Sequence, residues 1–139
     1  RSVSRGLGDV YKRQLYQNTD IEHMGKKENY SASSQARLQL MMQYIHQKSA
    51  YNISLSDIAD QAKVSKSTAL NLFQRYLGIS PVTYLVNYRL QEAAKLLAST
   101  EKKVTVISKD TGFDSVDYFC KAFKKYYKLT PTEYRKKAQ

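Results

Sequence analysis

The side chains best suited to catalysis or metal binding are scarce in this sequence. It contains one cysteine, Cys120, and two histidines, His23 and His46, which lie in different segments. A single cysteine cannot form a disulfide within the chain, and these three residues lack the spacing of a zinc site. No histidine or basic cluster is placed in sequence to activate the Cys120 thiol, so a nucleophile is the weaker interpretation. We therefore expect no catalytic residue, no metal and no cofactor.

Basic side chains are the abundant reactive groups. The chain has 23 Lys and Arg against 12 Asp and Glu, a net charge of +11. Residues 1–36 hold six basic and four acidic residues, whereas 37–139 hold seventeen and eight, so a charge of +9 lies on the second segment. This excess favours a polyanionic partner over a basic surface that is merely solvated.

Length and composition indicate one ordinary domain or two very small ones, because the chain has 139 residues. Hydrophobic residues make up 42%, enough for a packed interior. No stretch approaches the ~18 apolar residues of a membrane helix, and no signal peptide is recognisable. Together with the single cysteine, these features predict a cytoplasmic protein without a membrane partner.

The first 36 residues differ from the rest. Residues 1–14, RSVSRGLGDVYKRQ, have no initiating methionine and no clear apolar period, and they resemble a read-through of sequencing-adapter DNA. We predict that they are a non-native leader and exclude them from the fold. Residues 15–36 are polar, end in NYSASSQ and are predicted to be a linker.

The remaining sequence contains one unit twice. The phrase GISPVTYL at 78–85 returns as KLTPTEYR at 128–135, with hydroxyl, proline and tyrosine at matching places. Each copy follows a short helix, a tight turn and a second helix with one apolar stripe. At an offset of 50, the predicted inward stripes are Ala69, Leu72, Phe73 and Tyr76, and Phe119, Ala122, Phe123 and Tyr126.

Capping residues predict where the helices begin and end. In the first unit, three serines are predicted N-caps of successive helices: Ser54, Ser65 and Ser80. Gly78 is predicted to end the second of these helices. In the second unit, Asp114 is predicted to cap the helix that follows the Gly112–Phe113 turn, and Thr130 to open the last helix. With an amphipathic helix before the first unit, the sequence predicts an all-α fold of seven helices. Two helix-turn-helix units, at 55–77 and 104–127, are joined by a linker helix at 81–99.

These residues resemble the DNA-binding domain of the AraC/XylS-type transcription regulators. The matching phrases are LSDIADQAKVSKSTALNLFQRYLGISPVTYLVNYRLQEAAKLL and VTVISKDTGFDSVDYFCKAFKKYYKLTPTEYR. The resemblance implies an AraC-type domain over 37–139, a pair of homeodomain-like units whose recognition helices enter adjacent major grooves. A linker helix of about 18 residues, ~27 Å long, nearly matches the ~34 Å between such grooves.

The resemblance also implies partners. Double-stranded DNA is the first, and RNA polymerase is a further expected partner of a transcription regulator. Family members commonly carry a separate effector-binding or dimerisation domain, which we expect to be missing from this chain because residues 1–36 are too few to supply one. Lys63 and Lys128 depart from the family pattern, since each stands where a glycine would suit a left-handed backbone.

The resemblance places base contacts on the outward N-terminal turns of the two second helices. The expected base readers are Ser67, Leu70, Asn71, Val116, Asp117, Cys120 and Lys121. Asn71 can pair with adenine, Lys121 can donate to guanine, and Asp117 can accept from cytosine. Asp117 has an alternative role as a helix-start carboxylate at the third helical position after Asp114.

Five basic residues are expected to contact DNA phosphates, with a solvated surface as the alternative. They are Lys66, Arg75, Arg89, Lys124 and Lys125.

Two other functions compete with sequence-specific transcription regulation. A basic architectural protein would hold DNA through phosphates alone, without base preference. A DNA repair methyl acceptor, an enzyme class in which some members fuse this domain to a zinc–cysteine module, would need a cysteine cluster, and this chain has one cysteine. We therefore expect a regulator and not an enzyme.

Overall fold

The computed structural model of the chain describes residues 29–139. These residues form α1 (Asn29–Lys48), α2 (Leu55–Asp60), α3 (Lys66–Leu77), α4 (Pro81–Ser99), α5 (Val104–Asp110), α6 (Val116–Tyr127) and α7 (Pro131–Ala138). Over this range there are seven helices and no strand, which confirms the predicted all-α fold. None of these helices is long and apolar enough to cross a membrane. The predicted leader at 1–14 and the linker residues 15–28 lie outside the described residues.

The first helix begins earlier than the predicted domain. It starts at Asn29, so residues 29–36, assigned to the linker from their polarity, are helical. The apolar stripe of Leu38, Met41 and Ile45 is buried and anchors the helix from its middle onward. Once a helix is nucleated there, adding polar residues at its end costs little, because each extra residue gains one hydrogen bond.

The chain divides into two compact units. The first comprises the described residues up to Gln47 together with Ile53–Tyr84, and the second comprises Lys48–Asn52 and Leu85–Gln139. The linker helix α4 therefore contributes its first turn to the first unit and its remaining turns to the second.

The first unit is built around Phe73, which is completely buried. The other predicted stripe residues of α3 are buried with it, at Ala69, Leu72 and Tyr76. The ring of Tyr84 meets Phe73 edge-on, with centroids 5.6 Å apart. The Tyr84 hydroxyl forms a 2.7 Å hydrogen bond with His46 Nε2, so the polar end of this buried tyrosine has a partner.

The second unit is built around a row of aromatic rings. Phe119 and Phe123 are completely buried, as predicted, and the rings of Phe123 and Tyr127 have centroids 4.7 Å apart. The prediction was wrong for Ala122 and Tyr126, which are only half-buried, while Tyr127 is 1% exposed. Residues 119, 123 and 127 are four apart and lie on one helix face, so Tyr127 extends the stripe of the two phenylalanines.

Local capping chemistry fixes most of the helix ends. Ser54 and Asp57 form a reciprocal capping box, and the Ser65 hydroxyl accepts from the Thr68 N–H. Gly78 ends α3 in the left-handed conformation, with φ 73°. The predicted caps Ser54 and Ser65 and the predicted helix end at Gly78 are therefore present in the structure.

The predicted cap of α6 was wrong. The helix starts at Val116, and the Ser115 hydroxyl, rather than the Asp114 carboxylate, accepts from the Tyr118 N–H at 3.1 Å. A cap must stand immediately before the first helical residue to reach the N–H groups of the first turn. The connection has five residues in both units, but the cap follows two residues after the left-handed Lys63 in the first unit and three residues after Gly112 in the second, which moves the cap past Asp114.

Two lysines occupy left-handed backbone positions, so of the two outcomes open for a lysine in the first turn, avoiding this conformation or accepting its strain, the structure has the second. Lys63 in the turn of the first unit has φ 55°, and Lys128 after α6 has φ 67°. A residue with a Cβ is strained in this region, whereas glycine is not.

We predict that Phe73→Ala and Phe123→Ala each lower the free energy of unfolding by ~3–5 kcal/mol, because each leaves a cavity in a closed core. Urea unfolding followed by circular dichroism measures the loss. Val82→Ala, at a side chain that is 49% exposed, is the control and should change stability by less than ~0.5 kcal/mol. A phenylalanine variant that matches this control would contradict the equivalence of the two cores.

We also predict that Lys128→Gly raises the free energy of unfolding by ~1 kcal/mol, because glycine adopts a positive φ without strain. Gly78→Lys places lysine at the equivalent position of the first unit and should produce a loss of similar size. Thermal unfolding of the two variants measures both effects. If they shift the melting temperature in the same direction, the strain assigned to Lys128 is absent.

Candidate nucleic-acid interface

The outward face of α3 presents the three base readers predicted for the first unit. Ser67, Leu70 and Asn71 are exposed, and Leu70 retains 40% of its accessible surface although it is apolar. Positions 67, 70 and 71 are spaced i, i+3 and i+4, so they form one patch opposite the buried stripe. The exposed Lys66 lies at the start of the same helix, and the exposed Arg75 lies in its last turn.

The outward face of α6 differs from that of α3 in charge and burial. Asp117 and Lys121 are exposed, while Val116 and Cys120 are half-buried. Because Ser115 is the cap, Asp117 stands at the second helical position and not at the third. Its carboxylate is in the first turn, where the helix dipole favours negative charge. The helix-start role is therefore compatible with the structure, one position earlier than predicted.

The environment of Cys120 opposes nucleophile chemistry. Burial raises the pKa of the Cys120 thiol, and the negative charge of Asp117 raises it further. Reactive cysteines have lowered pKa values, because the thiolate is the attacking form. Cys120 is thus a neutral thiol at pH 7, which suits a small side chain at a helix surface. Among residues 29–139, no three His, Cys, Asp or Glu residues are grouped to hold a metal ion.

Tyr118 is a surface residue of α6 that the sequence analysis missed. Its side chain is 52% exposed on the first turn, and its ring centroid lies 6.0 Å from that of Phe113. Aromatic residues beside a stripe are easily assigned to the core, and Tyr118 directly precedes the buried Phe119. Its exposure shows that the buried stripe of Phe119, Phe123 and Tyr127 does not extend to the neighbouring position 118.

Arg89, one of the predicted phosphate contacts, has backbone hydrogen bonds that the sequence did not indicate. Its Nε donates to the carbonyl of Ser49 at 2.6 Å, and its Nη2 donates to the carbonyl of Tyr51 at 2.9 Å. Burial lowers the pKa of the Arg89 guanidinium, whereas the negative charge of Asp114 raises it. Since two of its donor groups bond to backbone carbonyls, Arg89 helps to hold the fold of the second unit together. Lys66, Lys124 and Lys125 are exposed at the ends of α3 and α6, where phosphate contacts were predicted.

Comparison with known proteins gives concordant matches. A family described as a helix-turn-helix domain matches residues 58–137. A crystal structure of a transcriptional regulator from Chromobacterium violaceum, an AraC-type DNA-binding domain protein, aligns with a TM-score of 0.73 and 31% identity, covering 77% of this chain and 96% of that one. The chain belongs to the AraC-type helix-turn-helix transcription regulators.

Curated relatives of this AraC-type chain are longer. An uncharacterized HTH-type transcriptional regulator of Haemophilus influenzae is 39% identical over 82 residues, which are 59% of this chain and 28% of the relative. YdeC of Bacillus subtilis, another uncharacterized HTH-type transcriptional regulator, is 35% identical over 100 residues, 72% of this chain and 34% of the relative. The chain thus spans about a third of the length of these relatives. The matches confirm the predicted family and the predicted class of function, DNA-binding transcription regulation.

Individual contacts with DNA stay predictions, and Asn71 and Lys121 test them best because they lie at matched exposed positions of α3 and α6. Asn71→Ala and Lys121→Ala should each cost ~1–3 kcal/mol of binding free energy at one base position, and the two positions should differ. Binding-site selection followed by sequencing gives the preference at each position. Gln43→Ala and Lys136→Ala, at exposed residues outside α3 and α6, are the controls and should leave all preferences unchanged. A shared base position, or none, would contradict the assignment.

Proposed function

We propose that this chain reads a specific double-stranded DNA site through α3 and α6, each of which enters the major groove. The observation that carries the proposal is the exposure, in both units, of side chains that can pair with base edges. Asn71 on α3 and Lys121 on α6 are both exposed, and each lies opposite a fully buried phenylalanine of its own helix. A buried stripe fixes the rotation of the helix, so the polar face has a defined direction.

Phosphate contacts complete the proposed interface. Lys66, Lys124 and Lys125 carry charge on flexible stems beside the base-reading faces, which suits contacts that fix register without reading sequence. The net charge of +11 supports electrostatic attraction to DNA. Arg75 completes this set, and Arg89 is left out of it because of its backbone hydrogen bonds.

The partners of the whole protein form a further part of the proposal. A regulator of this class acts in the cytoplasm with double-stranded DNA and RNA polymerase as partners, and without catalysis. The relatives' greater length supports an effector-binding or dimerisation domain as the source of the regulatory signal.

Selection of binding sites from random duplex DNA, followed by footprinting of the best sequence, tests the proposal. The selected site should bind at least ~10³-fold more tightly than random duplex of the same length at one stated salt concentration. A ratio near one would instead favour the architectural protein, which holds phosphates alone.

Salt dependence provides a separate prediction. If six to ten phosphates are neutralised, affinity should fall about 10³- to 10⁵-fold between ~50 and ~200 mM salt. Lys124→Gln should reduce the slope of log affinity against log salt by about one, because one phosphate contact is lost. Lys95→Gln is the matched control, since the Lys95 ammonium is paired with Glu92 at 3.0 Å. A slope unchanged by Lys124→Gln would remove this residue from the interface.

A further inference from the structure

We propose that Arg89 is a positioning residue, which sets the start of the recognition helix α6 and thereby the base preference of the second unit. The inference rests on the proposed DNA reading by α6. It assigns to a residue outside that helix a part in specificity, through the turn at Gly112, and it does not require Arg89 to touch DNA.

The guanidinium of Arg89 is held by two hydrogen bonds to backbone carbonyls. Its Nε and Nη2 donate at 2.6 and 2.9 Å to the carbonyls of Ser49 and Tyr51, the first and third residues after the last residue of α1. Carbonyls at a helix C-terminus lack partners within the helix and carry partial negative charge. The planar guanidinium satisfies two of them with one rigid group, which a lysine ammonium cannot do in the same geometry.

The turn before α6 is packed directly against this pair. A Cβ atom on Gly112 would lie 2.6 Å from the Ser49 carbonyl oxygen and 2.7 Å from Arg89 Nε. Gly112 also has φ +105°, a conformation that strains other residues. The backbone at Gly112, three residues before the Ser115 cap, therefore packs directly against the two atoms of the Arg89–Ser49 hydrogen bond. Any shift of the guanidinium opens or closes the space that this backbone occupies.

A carboxylate on the other side of the turn, that of Asp114, also interacts with Arg89. The carboxylate of Asp114, which directly precedes the Ser115 cap, acts electrostatically on the Arg89 guanidinium and raises its pKa. Asp114 has no capping role, so its attraction to Arg89 gives its carboxylate a function. The helix start is thus held mainly by the close backbone contact at Gly112, and the negative charge of Asp114 lies on the same side of the cap.

In the turn of the first unit, a lysine stands in place of the glycine whose backbone packs against Arg89 in the second unit. Lys63, which stands where Gly112 stands in the second unit, is exposed and carries a full side chain. Arg135 provides a matched comparison for the hydrogen bonds alone. It donates to the carbonyls of Leu97, Thr100 and Lys102 at 3.1, 3.2 and 2.7 Å, and so caps the end of α4 as Arg89 caps the end of α1.

The test compares Arg89→Lys with Arg135→Lys, since both keep the positive charge and lose a guanidinium that caps carbonyls. Thermal unfolding first measures the stability lost by each variant. Binding-site selection then measures base preferences. Arg89→Lys should lower the preference roughly tenfold at the base positions that Lys121→Ala affects, and should leave those that Asn71→Ala affects. Arg135→Lys should leave the whole profile unchanged.

A measurement without DNA supports the comparison. Hydrogen exchange of the Tyr118 amide, which is bonded to the Ser115 hydroxyl, should speed up in Arg89→Lys relative to that of the Thr68 amide, which is bonded to Ser65. In Arg135→Lys the ratio of the two exchange rates should stay as in the unsubstituted protein. Equal acceleration of both amides in Arg89→Lys would indicate general destabilisation and would overturn the inference.

Two further outcomes of the selection experiment would also contradict the positioning role of Arg89. A uniform loss of affinity for all sequences, with the salt slope reduced by about one, would make Arg89 a phosphate contact. An unchanged selection profile would make it purely structural. If Arg89→Lys does not fold, Asp114→Asn at an exposed residue replaces it, and an unchanged profile there overturns the inference. If the unsubstituted protein itself shows no base preference, the proposed function fails, and the exchange ratio alone decides whether Arg89 positions α6.

Discussion

The structure depends on the burial of one helix face in each unit, centred on Phe73 and Phe123. Both rings are completely buried, and burying a side chain of this size contributes ~1.5–3 kcal/mol through the hydrophobic effect alone. The same burial decides orientation, because a helix with one fixed face has its opposite face fixed as well. Polar residues on α3 and α6 can recognise a ligand only because aromatic rings on the other side prevent these helices from turning about their axes.

The features that the sequence predicted are those decided within one turn of helix or by a single periodicity. Ser54 with Asp57, Ser65 and Gly78 act on backbone groups three to five residues away, so their residue types sufficed. The buried stripe of α3 follows from spacing alone. The role of Arg89 could not be predicted in this way, since its partners lie 40 and 38 residues earlier in the chain. Tyr118 was missed because an aromatic residue next to a buried stripe is easily assigned to the core.

The two units achieve similar helix pairs by different physical means. The first has hydroxyl caps at both short helices and a glycine at the left-handed end of α3. The second has Lys103 before α5 with no side-chain cap, and Lys128 in the left-handed position after α6. These two helix ends are therefore intrinsically weaker, although Ser115 caps α6 and Thr130 with Glu133 forms a capping box on α7. The aromatic row of Phe119, Phe123 and Tyr127 and the close packing of Gly112 against Arg89 supply long-range contacts that add to this local capping.

This difference bears on the proposed reading of DNA by the second unit. Asp114 and Asp117 place two carboxylates at the start of α6, within a chain of net charge +11. In the proposed interface, negative charge near phosphates would weaken binding to every sequence, so these residues would not serve affinity. They can serve discrimination, because a carboxylate facing a base that offers no donor is penalised more than one facing a cytosine amine. Such a penalty is selective only if the carboxylate cannot swing away. A helix start held by Gly112, Arg89 and the Ser115 cap is the kind of rigid support that discrimination by Asp117 requires.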